Sequence, residues 1–192
     1  MLTGAMDELV VGDPARIETD VGPVIDEAAR SRLEQHLASG VGHPLHRARL
    51  APGCEHGCFV APQLLELDDI GRLRGEVFGP IVHVVRWQAG RLREVVDAIN
   101  STGYGLTLGV HSRIGRTVEE VRARARVGNL YVNRSMIGAV VGVQPFGGEG
   151  LSGTGPKAGG PHYLARFATE RTVSVDTTSA GGNATLMSLL EP

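Results

Sequence analysis

The charge and the long apolar runs that nucleic-acid and membrane chemistry need are both missing from this chain. Its 192 residues carry 19 Lys and Arg against 21 Asp and Glu, a formal charge of −2. That balance offers no basic footprint for a phosphate backbone or an anionic lipid surface. The apolar-and-glycine stretch at residues 137–143 is far short of the roughly 20 residues a membrane helix needs. The opening MLTGAMDELVVGD has no basic segment followed by an apolar one, so it does not read as a secretory signal, and a cytoplasmic setting is expected. Two cysteines are too few for a disulfide framework. A helix cap is also missing: Leu2, Met6, Leu9 and Val10 have helical spacing with no capping residue before them, so the chain reads as starting inside a helix of a larger protein.

What is present is an ordinary globular balance, 42% hydrophobic and 21% charged, with glycine in excess at 27 residues, about twice the usual share of roughly 7%. The glycines concentrate after Gly138, which points to functional loops rather than to a uniformly pliant chain. The opening helix is expected to stop at Gly12-Asp13-Pro14. Asp26 caps a helix that runs to residue 39, with Ala29, Leu33 and Leu37 on one face. Residues 41–58 read as irregular. A strand at 59–65 contains Pro62, which predicts an edge or bulged strand. IVHVVRW at 81–87 is a β-branched strand of the buried kind. A helix at 92–100 places Leu92, Val95, Val96 and Ile99 in one stripe. Strands at 106–111 and 129–133 flank a charged helix at 117–126. A brief helix at 162–167 and a last strand at 171–177 follow, and the final residues have weak periodicity. Alternating strands and helices predict an α/β layered fold with a largely parallel sheet.

Two stretches 65 residues apart carry the chemistry. EVFGP at 76–80 directly precedes a strand, near a sheet edge of the kind where α/β proteins bind ligands. The Glu76 carboxylate can accept hydrogen bonds from two adjacent hydroxyls, as in a ribose, and Phe78 can lie against a flat ring. A solvated glutamate beside a core phenylalanine is the other reading of the same residues. The second stretch, PFGGEGLSGTGPKAGGP at 145–161, contains GEGLSG. This matches GxGxxG but opens no helix, and no GK[ST] of a phosphate loop is present. Backbone N–H groups near Gly159 and Gly160, beside Lys157 and before the short helix, make a good environment for a carboxylate. A tight connection without a ligand is the alternative. His43, His46, Cys54, His56 and Cys58 crowd sixteen residues, but their order and spacing fit no common zinc pattern, and surface-loop residues are expected. Neither cysteine has an evident helix N-terminus or fixed base to activate it. His83, His111 and His162 are read as structural.

TDVGPVID, GEVFGP, YGLTLGV, GNLYVNR, PFGG and SGTG, in that order, resemble the C-terminal part of the aldehyde dehydrogenase superfamily across essentially the whole chain. SGTGPKAGGPHYLARF and TVSVDTTSAGGNA look like its Δ1-pyrroline-5-carboxylate (glutamate-semialdehyde) dehydrogenase branch, in particular the C-terminal module of bifunctional bacterial proline-utilisation proteins. The resemblance implies part of the three-layer α/β catalytic-domain fold over residues 1–167, followed by an oligomerisation strand and tail at 168–192. It implies NAD as cofactor, with Glu76 on the nicotinamide ribose and Phe78 near the nicotinamide. Phe146 would line the aldehyde tunnel, and Gly159 and Gly160 would donate N–H groups to the α-carboxylate of glutamate semialdehyde. Phe167 would close over the aliphatic part of that substrate. The strand bounded by Thr172 and Thr177 would join a sheet in a homo-oligomer. In that family the thiol nucleophile, its base and the Rossmann domain precede the matching region. No catalytic residue is therefore expected here, and the chain alone should be inactive. The alternative is a catalytically dead domain of the same descent that serves in structure or assembly.

Overall fold

The computed structural model describes residues 1–176 together with residues 185, 188 and 189. In chain order it contains α1 (Leu2–Asp7), α2 (Glu27–Ala38), β1 (His43–Arg47), β2 (Gln63–Leu67), β3 (Ile81–Val85), α3 (Leu92–Ser101), β4 (Tyr104–Gly105), β5 (Thr107–Val110), α4 (Gly115–Arg124), β6 (Asn129–Val132) and β7 (Glu149–Gly150). Single 3-10 turns lie at Cys54–His56, Ile70–Arg72 and Leu164–Phe167. Among the described residues no helix is long and apolar enough to cross a membrane.

The helix α2 forms where the sequence signals it. The Asp26 carboxylate accepts the Ala29 N–H at 2.6 Å, satisfying one of the amide groups that a helix start leaves unpaired. Its Leu33 joins Val60, Leu65 and Ile81 in a buried cluster, with Val24, Leu37, Val41 and Val77 packed around it. Close approach to the loop before β3 depends on Gly79, where a Cβ would come within 2.5 Å of Leu33 Cδ1. The loop that carries Glu76 and Phe78 is therefore seated on α2.

Beneath α2 runs a three-stranded sheet in the order β1-β2-β3. β2 pairs with β3 in parallel, Gln63 opposite Ile81, and with β1 antiparallel, across a register shift between Pro44 and His46. Two expectations fail here. β2 is the central strand, neither an edge nor itself bulged, since the register shift falls on β1: it begins after Pro62, so the missing proline N–H interrupts no ladder, and the Pro62 carbonyl accepts the Ala48 N–H at 2.8 Å. Leu64, Leu65 and Leu67 on it are all buried. The stretch expected to be irregular supplies β1 and a 3-10 turn. HPLHR has little strand propensity, and the neighbouring β2 imposes the pairing. The opening helix is also shorter than expected, ending at Asp7.

The second unit pairs β5 with β6 in parallel, Thr107 opposite Asn129, and sets α3 against α4. Asn100 ties the helix ends together, donating to the Arg124 carbonyl at 2.9 Å and accepting the Arg126 N–H at 2.9 Å. Arg93 reaches Glu120 at 2.6 Å. That hydrogen bond is the main cause of a lowered Glu120 pKa, with the charges of Arg93, Arg116 and Arg124 adding to it.

Among the described residues, 171–176 form no strand, and Thr177 lies outside them. Val173 and Val175 are 70% and 75% exposed. The total accessible area is 14,292 Å², against about 8,800 Å² for a compact protein of 20.3 kDa by the usual size scaling. Much apolar surface is left uncovered, including Ile137, Val141, Leu151, Leu164 and Phe167.

Candidate functional site

Glu76 and Phe78 lie on the loop between the Ile70–Arg72 turn and β3. This is the amino end of the parallel pair β2–β3, so the general preference for ligands at carboxyl ends does not assign them; the side chains do. Glu76 is exposed, and no described residue donates to its carboxylate. It borders two hollows. One of about 430 Å³ includes Asn100, Thr102, Tyr104, Leu151 and Ser152. The other, of about 760 Å³, includes His36, Ser39, Arg72 and Arg74. Phe78 is 88% exposed, which excludes the core-phenylalanine reading. An unengaged carboxylate and a bare ring two residues apart suit a diol and a flat heterocycle.

The glycine stretch folds back on itself. Phe146 and Ala158 exchange both backbone hydrogen bonds at 3.0 Å, closing residues 146–158 into a loop. Its first leg lies along residues 103–105: β4 pairs antiparallel with β7, Leu151 N–H donates to the Gly103 carbonyl at 2.9 Å, and Gly105 N–H donates to Ser152 Oγ at 3.0 Å. The GEGLSG glycines are explained by this packing alone. A Cβ at Gly148 would meet Ser152 at 2.6 Å, one at Gly153 would meet the Gly148 carbonyl at 2.7 Å, and Gly150 has φ +59°. The tight-connection reading therefore holds for that hexapeptide.

At the loop exit the outcome differs between two neighbouring glycines. Gly159 has φ +71° with open space around a would-be Cβ, so backbone conformation alone demands glycine there. No described residue accepts its N–H. Gly160 N–H instead donates to the Lys157 carbonyl at 3.0 Å, so it is engaged in this conformation. The helix that follows is a single 3-10 turn, Leu164–Phe167, too short to lend a useful dipole. Any anion there is held by the loop's own amides. Lys157 turns its ammonium inward, to the Gly128 carbonyl and to Asn129 Oδ1.

The aromatic candidates come together. Phe146 and Phe167 line one hollow of about 300 Å³ with Gly147, Ser152, Thr154 and Arg166. The Phe167 ring meets Tyr163 edge-on at 5.4 Å, and Arg166 holds the loop through the Gly155 carbonyl. Gly160 opens on another side, into a hollow of about 900 Å³ that includes Tyr131, Arg134, Lys157 and His162. Ser152 is shared by the Glu76 hollow and the Phe146 hollow, so the loop forms the partition between the two groups of candidates.

The cysteines stand apart. Cys54 is buried with Sγ 3.5 Å from the Val11 carbonyl, and Cys58 Sγ is 3.7 Å from Glu27 Oε2. His46 pairs with Asp7 at 2.9 Å. Among the described residues no three His, Cys, Asp or Glu side chains converge as metal ligands would. Missed from the sequence was Asn129, a buried polar residue at the centre of the glycine loop. Its signal was the one amide at the head of the strand NLYV.

Comparison with known proteins gives the family. Residues 1–173 match the aldehyde dehydrogenase family. The bifunctional protein PutA of Escherichia coli (strain K12) is 55% identical over 178 residues, 89% of this chain and 14% of its own length. A mutant of Bradyrhizobium japonicum Proline Utilization A superposes with a TM-score of 0.84 at 57% identity, over 93% of this chain and 18% of that one. A 1-pyrroline-5-carboxylate dehydrogenase from Thermus with bound NAD gives 0.75 at 36%, over 85% and 32%. The chain thus spans between about a seventh and a third of the length of these relatives, and its fold is a partial aldehyde dehydrogenase α/β domain.

Proposed function

This chain belongs to the aldehyde dehydrogenase family, and we propose that it is the C-terminal part of a module that oxidises L-glutamate 5-semialdehyde to glutamate with NAD in proline catabolism. The observation that carries this reading is the exit of the glycine loop, where Gly159 follows Ala158 of the Phe146–Phe167 hollow and has, at positive φ, an N–H that no described residue accepts. A short aldehyde with a carboxylate at its far end suits that arrangement: amides take the anion, and rings take the methylenes.

When bound, NAD supplies the hydride acceptor. On this chain Glu76 would hold its nicotinamide ribose by accepting from the two hydroxyls, and the exposed Phe78 ring would lie by the nicotinamide. Phe146 and Phe167 would flank the substrate chain, and Gly159 would take its carboxylate, with Gly160 joining if it leaves the Lys157 carbonyl. These residues bind and orient. Covalent catalysis by a thiolate is assigned to polypeptide beyond these 192 residues, since Cys54 is enclosed against Val11 and Cys58 faces Glu27. The accessible area, far above that of a compact chain of this mass, supports a wall of a larger body rather than a free-standing enzyme. We assign assembly into a homo-oligomer to residues 168–192, through the segment that starts at Thr172 and exposes Val173 and Val175.

The test is NADH formation from Δ1-pyrroline-5-carboxylate by the full-length polypeptide that carries this chain. Activity that falls when Glu76 is changed to Gln supports the reading; no NADH from the intact protein sinks it.

A further inference from the structure

We infer that Asn129, acting with Lys157, is the positioning residue that sets carboxylate specificity at the glycine loop. The inference rests on the function proposed above. Asn129 opens β6 and is 8% exposed, and its amide is used completely. Nδ2 donates to the Pro145 carbonyl at 3.1 Å and to Tyr131 Oη at 3.3 Å. Oδ1 accepts the Gly147 N–H at 3.4 Å and the Lys157 ammonium at 3.4 Å. Two donors and two acceptor sites meet two acceptors and two donors, the full capacity of an amide side chain. Only one orientation of the amide satisfies them, because Pro145 offers only an acceptor and Lys157 only donors.

The four partners are not scattered. Pro145 and Gly147 are the entry of the loop and Lys157 is its exit, so one side chain closes the loop from inside the fold. The Phe146–Ala158 bridge lies between these contacts. From Lys157 the link to the Gly159 amide is direct: the Lys157 carbonyl accepts from Gly160, which closes the turn that holds Gly159 between them. A shift of Lys157 therefore moves both glycines. Neither Asn129 nor Lys157 shares a hollow with Glu76, so the cofactor edge is left alone. An interaction that only places the carboxylate-binding amides contributes equally to ground and transition states. Its loss raises KM and leaves kcat in place.

The experiment uses the full-length enzyme, with glutamate semialdehyde and pentanal, a neutral aldehyde of the same chain length, as paired substrates. Asn129→Ser and Lys157→Gln are expected to raise KM for glutamate semialdehyde about tenfold or more, the effect of one lost charge-assisted hydrogen bond. kcat for both substrates and KM for pentanal should stay within about twofold, and Lys157→Arg should restore most of the loss. Equal changes for the two aldehydes, or no change for either, overturn the inference while leaving the loop reading intact. If Asn129→Ser does not fold, the two Lys157 variants decide by the same criteria. A wild-type enzyme that does not favour glutamate semialdehyde over pentanal overturns the loop reading and this inference together.

Discussion

His36 on α2 and His83 on β3 bring their Nε2 atoms to 2.9 Å, with the rings edge-on at 5.1 Å between centroids. One nitrogen must donate and the other accept, so the contact requires at least one neutral ring. Partial burial, and next the charge of His36, lower the His83 pKa from its ordinary value of 6.5. Leu33, one turn earlier on α2, seats Gly79 of the EVFGP loop, so this dyad sits in the layer that supports the Glu76 side.

Stability should therefore depend on pH through this pair. With the folded pKa of His83 below the unfolded one, the unfolded chain binds more protons as pH falls below about 6.5. The contribution is complete above that value and is lost as pH drops through the folded pKa. Urea midpoints measured between pH 7.5 and 5 should decline, and His83→Gln should flatten the decline. An unchanged slope would remove the dyad from the account.

Gly128→Ala should damage the loop without touching any proposed ligand contact. A Cβ there would lie 1.8 Å from the Gly147 carbonyl oxygen and 2.8 Å from its carbon, and backbone cannot rotate away as a side chain can. A cost of roughly 2–3 kcal/mol is expected, visible as a lower denaturation midpoint. Faster proteolytic cleavage within residues 145–161 should accompany it.

Leu33→Ala should lower stability by about 2–5 kcal/mol, the usual range for emptying a buried leucine site. Because Leu33 also fills the space left by Gly79, the variant should loosen the EVFGP loop. In the full-length enzyme KM for NAD should then rise more than KM for the aldehyde. A rise confined to the aldehyde would contradict the seating of that loop on α2.

Glu76→Gln keeps size and polarity but removes the charge that strengthens hydrogen bonds from two hydroxyls. Loss of one to two charge-assisted bonds predicts a rise of about tenfold or more in KM for NAD. Asp26→Ala, by contrast, should cost about 1 kcal/mol through loss of the helix cap and leave KM for NAD near its original value.

The 192-residue chain by itself should form no NADH from pyrroline-5-carboxylate, because neither thiol is placed as a nucleophile. A spectrophotometric assay of the purified chain checks this directly, and any turnover above a chain-free blank would require a nucleophile that the proposal places elsewhere.

Much of the architecture was legible in residue pattern. Asp26 with the Ala29, Leu33 and Leu37 stripe marked α2, and the β-branched run marked β3. The α3 stripe and the short apolar runs at β5 and β6 did the same for the second unit. The failures share a cause. β1 has no strand signal of its own, and Pro62 looked like an edge marker because the sequence does not say that the ladder begins one residue later. In both cases a neighbouring strand decided the outcome. The glycine loop divided similarly: its small residues were evident, but GEGLSG turned out to serve close packing, while the exit glycines keep an amide available.

Local chemistry, written in the order of residues, determined the helices, the type of the loops and the family to which the chain belongs. It also singled out Glu76 and Phe78 by their placement on a turned loop, since a charge and a ring need no partner to be recognised. Tertiary structure alone decided that Ser152 separates two hollows and that Asn129 closes the loop. Those outcomes depend on hydrogen bonds between residues 16 to 47 positions apart. Such bonds follow from where the strands pack, and no spacing along the chain encodes that.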